Sequence, residues 1–349
     1  MIPIQNIYYM LSYAFRALKE QQYRELATEE FQNTGDLMAA ILAKGIAVQL
    51  KRGLEREYIA QTEALPLVKG KIDISESMKM TSVFRKQLVC TYDDFSENNR
   101  MNQIVKSTAV LLLKADISKS RKRELRKLIP FFDAVDSINL RTVRWDFRYN
   151  RNNQTYEMLI SICYLIVKGL LQTSSDGTIK LMDHLDDQRM CRLYERFILE
   201  YYKKHYPGLK VSASQIPWAL ESGHDDMLPI MQSDIQLQRG GDVLIIDAKY
   251  YSSTTHEQFG KRTLHSDNLY QIFTYVKNRE YQFKNCEHAV SGMLLYAKTD
   301  EVIQPDSDYQ ICGNRICAKT LDLSVPFPKI AKQMDHIVMK QFASISKEL

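Results

Sequence analysis

The sequence predicts an α/β domain over residues 151–349, with a mixed central sheet flanked by helices, preceded by an α+β domain over residues 1–150. Three observations lead there. Residues 228–251 (LPIMQSDIQLQRGGDVLIIDAKYY) read as a β-hairpin whose second strand is a continuous aliphatic run, as in a strand covered on both faces. Apolar helical stretches and a further aliphatic strand surround that hairpin, the alternation expected of packed α/β layers. The first half instead mixes helices with short strands.

The elements follow in order. Residues 4–19 are expected to form a helix with Ile7, Leu11, Ala14, Phe15 and Leu18 on one face. Asp36 is expected to cap a second helix running to residue 50. Strand character follows at 58–65, 71–74 and 87–92, with Pro66 and Gly70 between the first two. Asn98 or Asn99 opens a helix to residue 114. A helix at 119–128 sets Lys119, Arg121, Lys122, Arg123, Arg126 and Lys127 against Glu124. Such a face can meet phosphate or an acidic partner, and is most often simply solvated.

The polar run YNRNNQ at 149–154 places the domain boundary. Residues 156–171 make a buried helix, shorter than the ~20 residues of a membrane span. A helix at 186–206 ends at Pro207-Gly208 and buries Met190, Tyr194, Phe197, Ile198 and Tyr201, with Glu195 at the edge of that stripe. Residues 210–220 read as the first strand, Pro217 marking an edge or a break. The polar stretch 250–263 is long for a loop. Ser266 or Asp267 is expected to cap the next helix, on which Gln271 and Tyr275 share a face. A buried strand at 289–296, edge strands at 309–312 and 316–323, and an amphipathic helix at 326–344 close the chain.

The totals exclude several classes. The 349 residues, 45% hydrophobic and 26% charged, suit a soluble globular protein of two domains. No apolar run is long enough to cross a membrane, and the start, MIPIQNIYYM, lacks a basic n-region and a cleavage site. The six cysteines are scattered without paired C-x-x-C spacing, which argues against zinc and for reduced thiols in a cytoplasm. No phosphate-binding G-x-x-x-x-G-K-[ST] run occurs, so the chain should not hydrolyse a nucleotide by itself. A net charge of +5 is compatible with a nucleic-acid partner without establishing one.

The chemistry concentrates in the hairpin. With Gly240-Gly241 as a two-residue turn, Arg239 faces Asp242, Gln236 faces Ile245 and Asp234 faces Asp247. Opposed side chains stand ~4.5–5.5 Å apart on one face, and Lys249, two residues beyond Asp247, shares that face. Two facing aspartates destabilise a sheet unless something neutralises them. A divalent cation does so. Mg²⁺ prefers oxygen ligands and is often held by one or two carboxylates and several waters. Without such a cation, Asp247 and Lys249 would be an ordinary ion pair at a strand end.

Ser233-Asp234 followed by Asp247-Ala248-Lys249 resembles the PD-(D/E)xK nuclease superfamily. In that superfamily the helix before the sheet often adds an acidic residue, for which Glu195 is best placed; otherwise Glu195 would pair with Arg192 or Arg196 at the surface. Gln271 and Tyr275, following the D-x-K strand, resemble the RecB-like branch, in which such residues approach the DNA backbone or the catalytic groups. His265 is a further candidate for a phosphate contact, or else a surface residue at the helix start. PIQNIYYML at 3–11, RGLEREY at 52–58, KGKI at 69–72 and NQIVKST at 102–108 are similar, in the same order, to the N-terminal region of the McrC family, the nuclease subunits of McrBC restriction systems.

The resemblance implies Mg²⁺-dependent cleavage of double-stranded DNA carrying modified cytosine. Asp234 and Asp247 would bind metal and Lys249 would act on the attacking water. It also implies docking of residues 1–150 on a McrB-like AAA+ GTPase hexamer, with GTP used only by that partner. Two other readings remain: a non-cleaving scaffold that activates the GTPase, and a stand-alone RecB-like repair nuclease.

Overall fold

The chain is described by a computed structural model over residues 2–15, 33–79, 85–149, 153–171, 187–224, 226–258, 261–283 and 287–342, with isolated positions between 18 and 31. In chain order its elements are α1 (Ile4–Ala14), α2 (Thr34–Arg52), β1 (Glu57–Leu65), β2 (Lys71–Ile72), α3 (Ile74–Lys79), β3 (Leu88–Ser96), α4 (Arg100–Lys114), α5 (Lys119–Leu128) and α6 (Gln154–Leu171). There follow α7 (Asp187–His205), β4 (Lys210–Ser212), β5 (Gln215–Ile216), β6 (Met231–Gln232), β7 (Ile235–Arg239), β8 (Asp242–Lys249), β9 (Thr255–Gln258) and β10 (Lys261–Leu264). The chain ends with α8 (Ser266–Tyr281), β11 (Ala289–Ala297), β12 (Ser307–Ile311), β13 (Asn314–Leu321) and α9 (Phe327–Gln341). Among the described residues no helix is long and apolar enough to cross a membrane.

Two compact units result: Met1–Lys19 with Leu185–Leu349, and Glu20–His184. The expected boundary at 150/151 falls inside the second of these, and the reason is a buried polar knot. Tyr156 on α6 donates its hydroxyl to Asn102 Oδ1 on α4 and accepts from the Glu55 amide at 3.1 Å. Asn102 in turn donates to the carbonyls of Glu55 and Glu97. Breaking such a network would leave buried groups unsatisfied, so α6 stays with α2 and α4. This unit also holds the antiparallel sheet β1-β3-β2. Its helix α2 is capped by Asn33, whose side chain accepts from the Asp36 amide at 2.8 Å. Asp36, expected to be the cap, lies inside the first turn and instead accepts from the Ser118 amide. The basic helix α5 buries only Leu125.

In the other unit, α1 packs on α7. Asn6 donates to the carbonyls of Leu323 and Val325, both at 2.8 Å. Tyr9 stacks on Phe327, and the Tyr13 hydroxyl lies 2.8 Å from His205 Nε2. The helix ends at Ala14, short of the expected residue 19.

The central sheet of this unit has the order β12-β13-β11-β8-β7-β4. β8, β11 and β13 are parallel; β7, β4 and β12 join antiparallel. β8 and β11 are buried along almost their whole length, as strands covered on both faces are. The turn places Arg239 opposite Asp242 and Gln236 opposite Ile245, as the sequence predicts. Of the two turn glycines, only Gly240 takes a left-handed φ, of 58°. Gly241 is needed for a different reason: a Cβ there would stand 2.2 Å from the Glu287 carbonyl oxygen.

Three further expectations are corrected. Residues 210–220 do not form one strand; β4 breaks off after Ser212, and β5 pairs with β6 in a separate small sheet. Residues 314–321 are an internal strand between β11 and β12, and of the two strands expected at the edge only β12 is there. The polar stretch after Lys249 carries the two-stranded hairpin β9–β10, its base tied down by Glu301, which accepts from Ser253, Thr254 and Thr255.

Candidate functional site

The end of β8 brings the expected side chains together. Val243 and Ile245 pack in one cluster with Ile272, Tyr275 and Val276 of α8. Alternation along the strand therefore turns Asp247 and Lys249 to the α8 face as well. Asp234 lies one residue beyond the ladder, whose last pair is Ile235 with Ile246. It is fixed there by the Ala248 amide, which donates to its Oδ2 at 2.9 Å.

Asp247 is 2% exposed. Its Oδ2 stands 2.8 Å from Lys249 Nζ, yet no aligned hydrogen-bond donor reaches this buried oxygen. Lys249 donates to Gln271 Oε1 at 3.1 Å, and Gln271 donates to the Tyr275 hydroxyl at 2.9 Å. The helix α8 thus holds the ammonium through a relay of two side chains.

Glu195 comes from α7. Cys191, one turn earlier, donates its thiol to Glu195 Oε1 at 3.1 Å and lies 3.8 Å from the Ala248 carbonyl oxygen. Cys191 was not among the sequence candidates; its position four residues before Glu195 on one helix face is the signal that would have found it. A cleft of about 350 Å³ opens beside these groups, lined by Arg192, Glu195, Arg196, Gln232 and Asp234 among others.

The electrostatics are those of crowded carboxylates. Burial, then the neighbouring Asp247 and Glu195, push Asp234 up to about 8. Burial raises Glu195 as well, against the opposing pull of the Cys191 hydrogen bond and Lys249. Burial alone would depress Lys249, but the Asp247 carboxylate outweighs it and the ammonium is held more firmly than usual. The Cys191 thiol is pushed up to about 12 by burial and by Glu195, so it stays protonated.

His265 is the candidate placed apart from this group. It occupies the N-cap of α8 with no side-chain cap bond, its ring against Tyr251 and its Nε2 3.4 Å from the Ser253 carbonyl. Ser266 and Asp267, the expected caps, already lie within the first turn.

Among the described residues, no three His, Cys, Asp or Glu side chains converge into a metal cage. The donor set fits an ion that keeps most of its waters: Asp247, whose buried Oδ2 accepts no aligned hydrogen bond, and Asp234, whose hold on a proton is raised by burial and by Asp247 and Glu195. Among the described residues, Cys90, Cys163, Cys312 and Cys317 are free thiols.

A family model for the McrBC 5-methylcytosine restriction system component matches residues 5–297. The chain belongs to this family. The match runs from the second residue of α1 through β11 and takes in every candidate named above. Within the McrBC family, the chain is 29% identical over 339 residues to the type IV methyl-directed restriction enzyme EcoKMcrBC of Escherichia coli (strain K12), covering 95% of this chain and 96% of that one. The fold is similar to a chain of the tetradecameric assembly of Thermococcus gammatolerans McrB AAA+ hexamers with bound McrC. There the TM-score is 0.51 at 18% identity, over 97% of this chain and 76% of that chain. This likeness bears on the McrBC fold alone, a mixed sheet between helices.

Proposed function

We propose that this chain is the endonuclease subunit of a McrBC-like, modification-dependent restriction system. Its α1-plus-C-terminal unit would be a PD-(D/E)xK nuclease domain that hydrolyses phosphodiesters of double-stranded DNA carrying modified cytosine. The observation that carries this reading is the junction at the end of β8, where Asp234, Asp247 and Glu195 crowd beside an ammonium held by Gln271. A purely structural ion pair would need neither the second buried carboxylate nor the third. Asp234 and Asp247 would hold Mg²⁺, with Glu195 at its edge. Magnesium bound there would lower the pKa of a coordinated water and offset charge developing on the phosphate. Lys249 keeps its proton and places positive charge beside Asp247, where it can orient the water or balance a phosphate oxygen. Gln271, steadied by Tyr275, limits the swing of that ammonium.

The reading also supplies a partner: a cytoplasmic McrB-like AAA+ GTPase hexamer, on which the unit Glu20–His184 would dock and whose GTP hydrolysis it would stimulate. GTP would enter only through that partner. The presence of McrB hexamers with bound McrC in the similar solved assembly supports this. The test combines the purified chain, its GTPase partner, methylated DNA, GTP and Mg²⁺. Wild type is expected to cut and Asp247→Ala to lose cutting while still raising GTP turnover. Cutting by Asp247→Ala would overturn the site. Raised GTP turnover with no cutting by wild type would favour the scaffold reading.

A further inference from the structure

We propose that the exposed face of α5 binds the phosphate backbone of duplex DNA without reading its bases. The choice of DNA as the polyanion rests on the nuclease reading above. Lys119, Lys122, Arg123, Arg126 and Lys127 stand at positions i, i+3, i+4, i+7 and i+8 of this helix, so they form one stripe. Leu125, the buried residue of the helix, lies on the other side with Arg121. Lys119, Arg123, Arg126 and Lys127 are exposed and Lys122 is half-buried. Among the described residues, none of the five side chains has an ion pair or hydrogen bond.

The acid of the helix does not serve the stripe. Glu124 accepts from Arg121 at 2.8 Å, and Arg121 donates also to Glu29 at 2.7 Å. The helix is fixed to its unit without help from the five cations. Leu125 is fully buried, and the Ser118 amide at the N-cap donates to Asp36 of α2 at 2.7 Å. The simpler alternative is a solvated face, but such faces alternate in sign. Here Lys119 and Arg123, Lys122 and Arg126, and Arg123 and Lys127 are like charges four residues apart, which destabilise a helix until an anion lies across them. The net charge of the whole chain is +5, as much as this stripe carries, so the rest of the molecule is balanced. The stripe is about 12 Å long, and over about that distance a duplex presents roughly seven phosphates. A protein surface, where both signs are interspersed, matches five unpaired cations less well. Contacts to phosphate position a duplex and carry no sequence information, so binding here ignores methylation.

A salt titration separates a DNA contact from a solvated face. Binding of a short fluorescein-labelled duplex by the full chain is measured by anisotropy across a range of potassium chloride, without the divalent cation, which the stripe does not need. Arg123→Ala with Lys127→Ala is expected to weaken binding roughly tenfold and to lower the slope of log Kd against log salt by about 2, equally on methylated and unmethylated duplex. Lys329→Ala with Lys332→Ala removes the same charge from exposed positions of α9 and should leave the slope unchanged. The α5 variant is expected to melt at or above wild type, because repulsion is relieved; if it does not fold, Lys119→Gln with Lys122→Gln decides instead. No salt-dependent binding by wild type, an unchanged slope in the α5 variant, or an equal drop in the α9 control overturns the proposal. An unchanged slope with lost stimulation of the GTPase would overturn it too, and assign the stripe to the protein partner. Cutting by the partnered wild type with unchanged slopes would sink the stripe and leave the nuclease reading standing. Stripe-dependent binding without any cutting would do the reverse.

Discussion

Asp234 binds a proton across a wide pH range in which an unfolded aspartate would not. Burial, Asp247 and Glu195 push it from an ordinary value of 3.8 up to about 8. Between those values the folded, metal-free chain holds more protons than the unfolded chain, so its stability falls as pH rises and levels off above about pH 8. Asp234→Asn removes the ionisable group and this dependence with it. In EDTA near pH 8, the variant is expected to melt above wild type, with the gap closing towards pH 4. A wild-type melting temperature that stays flat, or rises, over that window would contradict the assignment. The same substitution should abolish cleavage, because an amide cannot supply the negative charge that a cation needs. The pairing that brings Asp234 to Asp247 was legible in the sequence, since Gly240-Gly241 fixes the register one turn away. The help given by Cys191 was legible only from Glu195, since the thiol lies four residues before it on the same helix face.

At the scale of elements, the site depends on how closely α8 lies on β11. Gly292 makes that approach possible: a Cβ there would stand 2.7 Å from Ile272 Cγ1 and 2.8 Å from Val276 Cγ2. Gly292→Ala therefore lifts α8 off the sheet. A cost of about 1–3 kcal/mol in urea unfolding is expected from overpacking. Gln271 moves with the helix, so its 3.1 Å bond to Lys249 lengthens and cutting falls more than stability alone would explain. Unchanged cutting in a destabilised variant would show that the relay is dispensable. The elements themselves were mostly legible, because aliphatic runs and helical stripes are local signals. Pairing was less so: nothing in residues 210–220 shows that β5 leaves the main sheet to join β6, since that depends on the chain around Ser233 breaking the partner strand.

At the scale of the whole molecule, the division of the chain was the least legible feature. The stripe Ile7, Leu11 and Ala14 announces a helix with a buried face but not which core receives it. In the structure α1 joins the C-terminal unit, through Asn6 on the Leu323 and Val325 carbonyls and Tyr9 on Phe327. A fragment of residues 185–349 alone would leave that face open. It is expected to aggregate or to melt well below the full chain, and a synthetic peptide of residues 1–19 should restore solubility or raise the melting temperature. A fragment as stable as the full chain, with no response to the peptide, would show α1 to be an accessory. The same stitch orders events in time. Asn6 leaves the ribosome more than 300 residues before its acceptor at Leu323 does, while every residue of Glu20–His184 has already been made. During synthesis the C-terminal unit is thus the last to close, so a truncated or stalled product would carry the other unit without the assembled cluster of Asp234, Asp247 and Lys249.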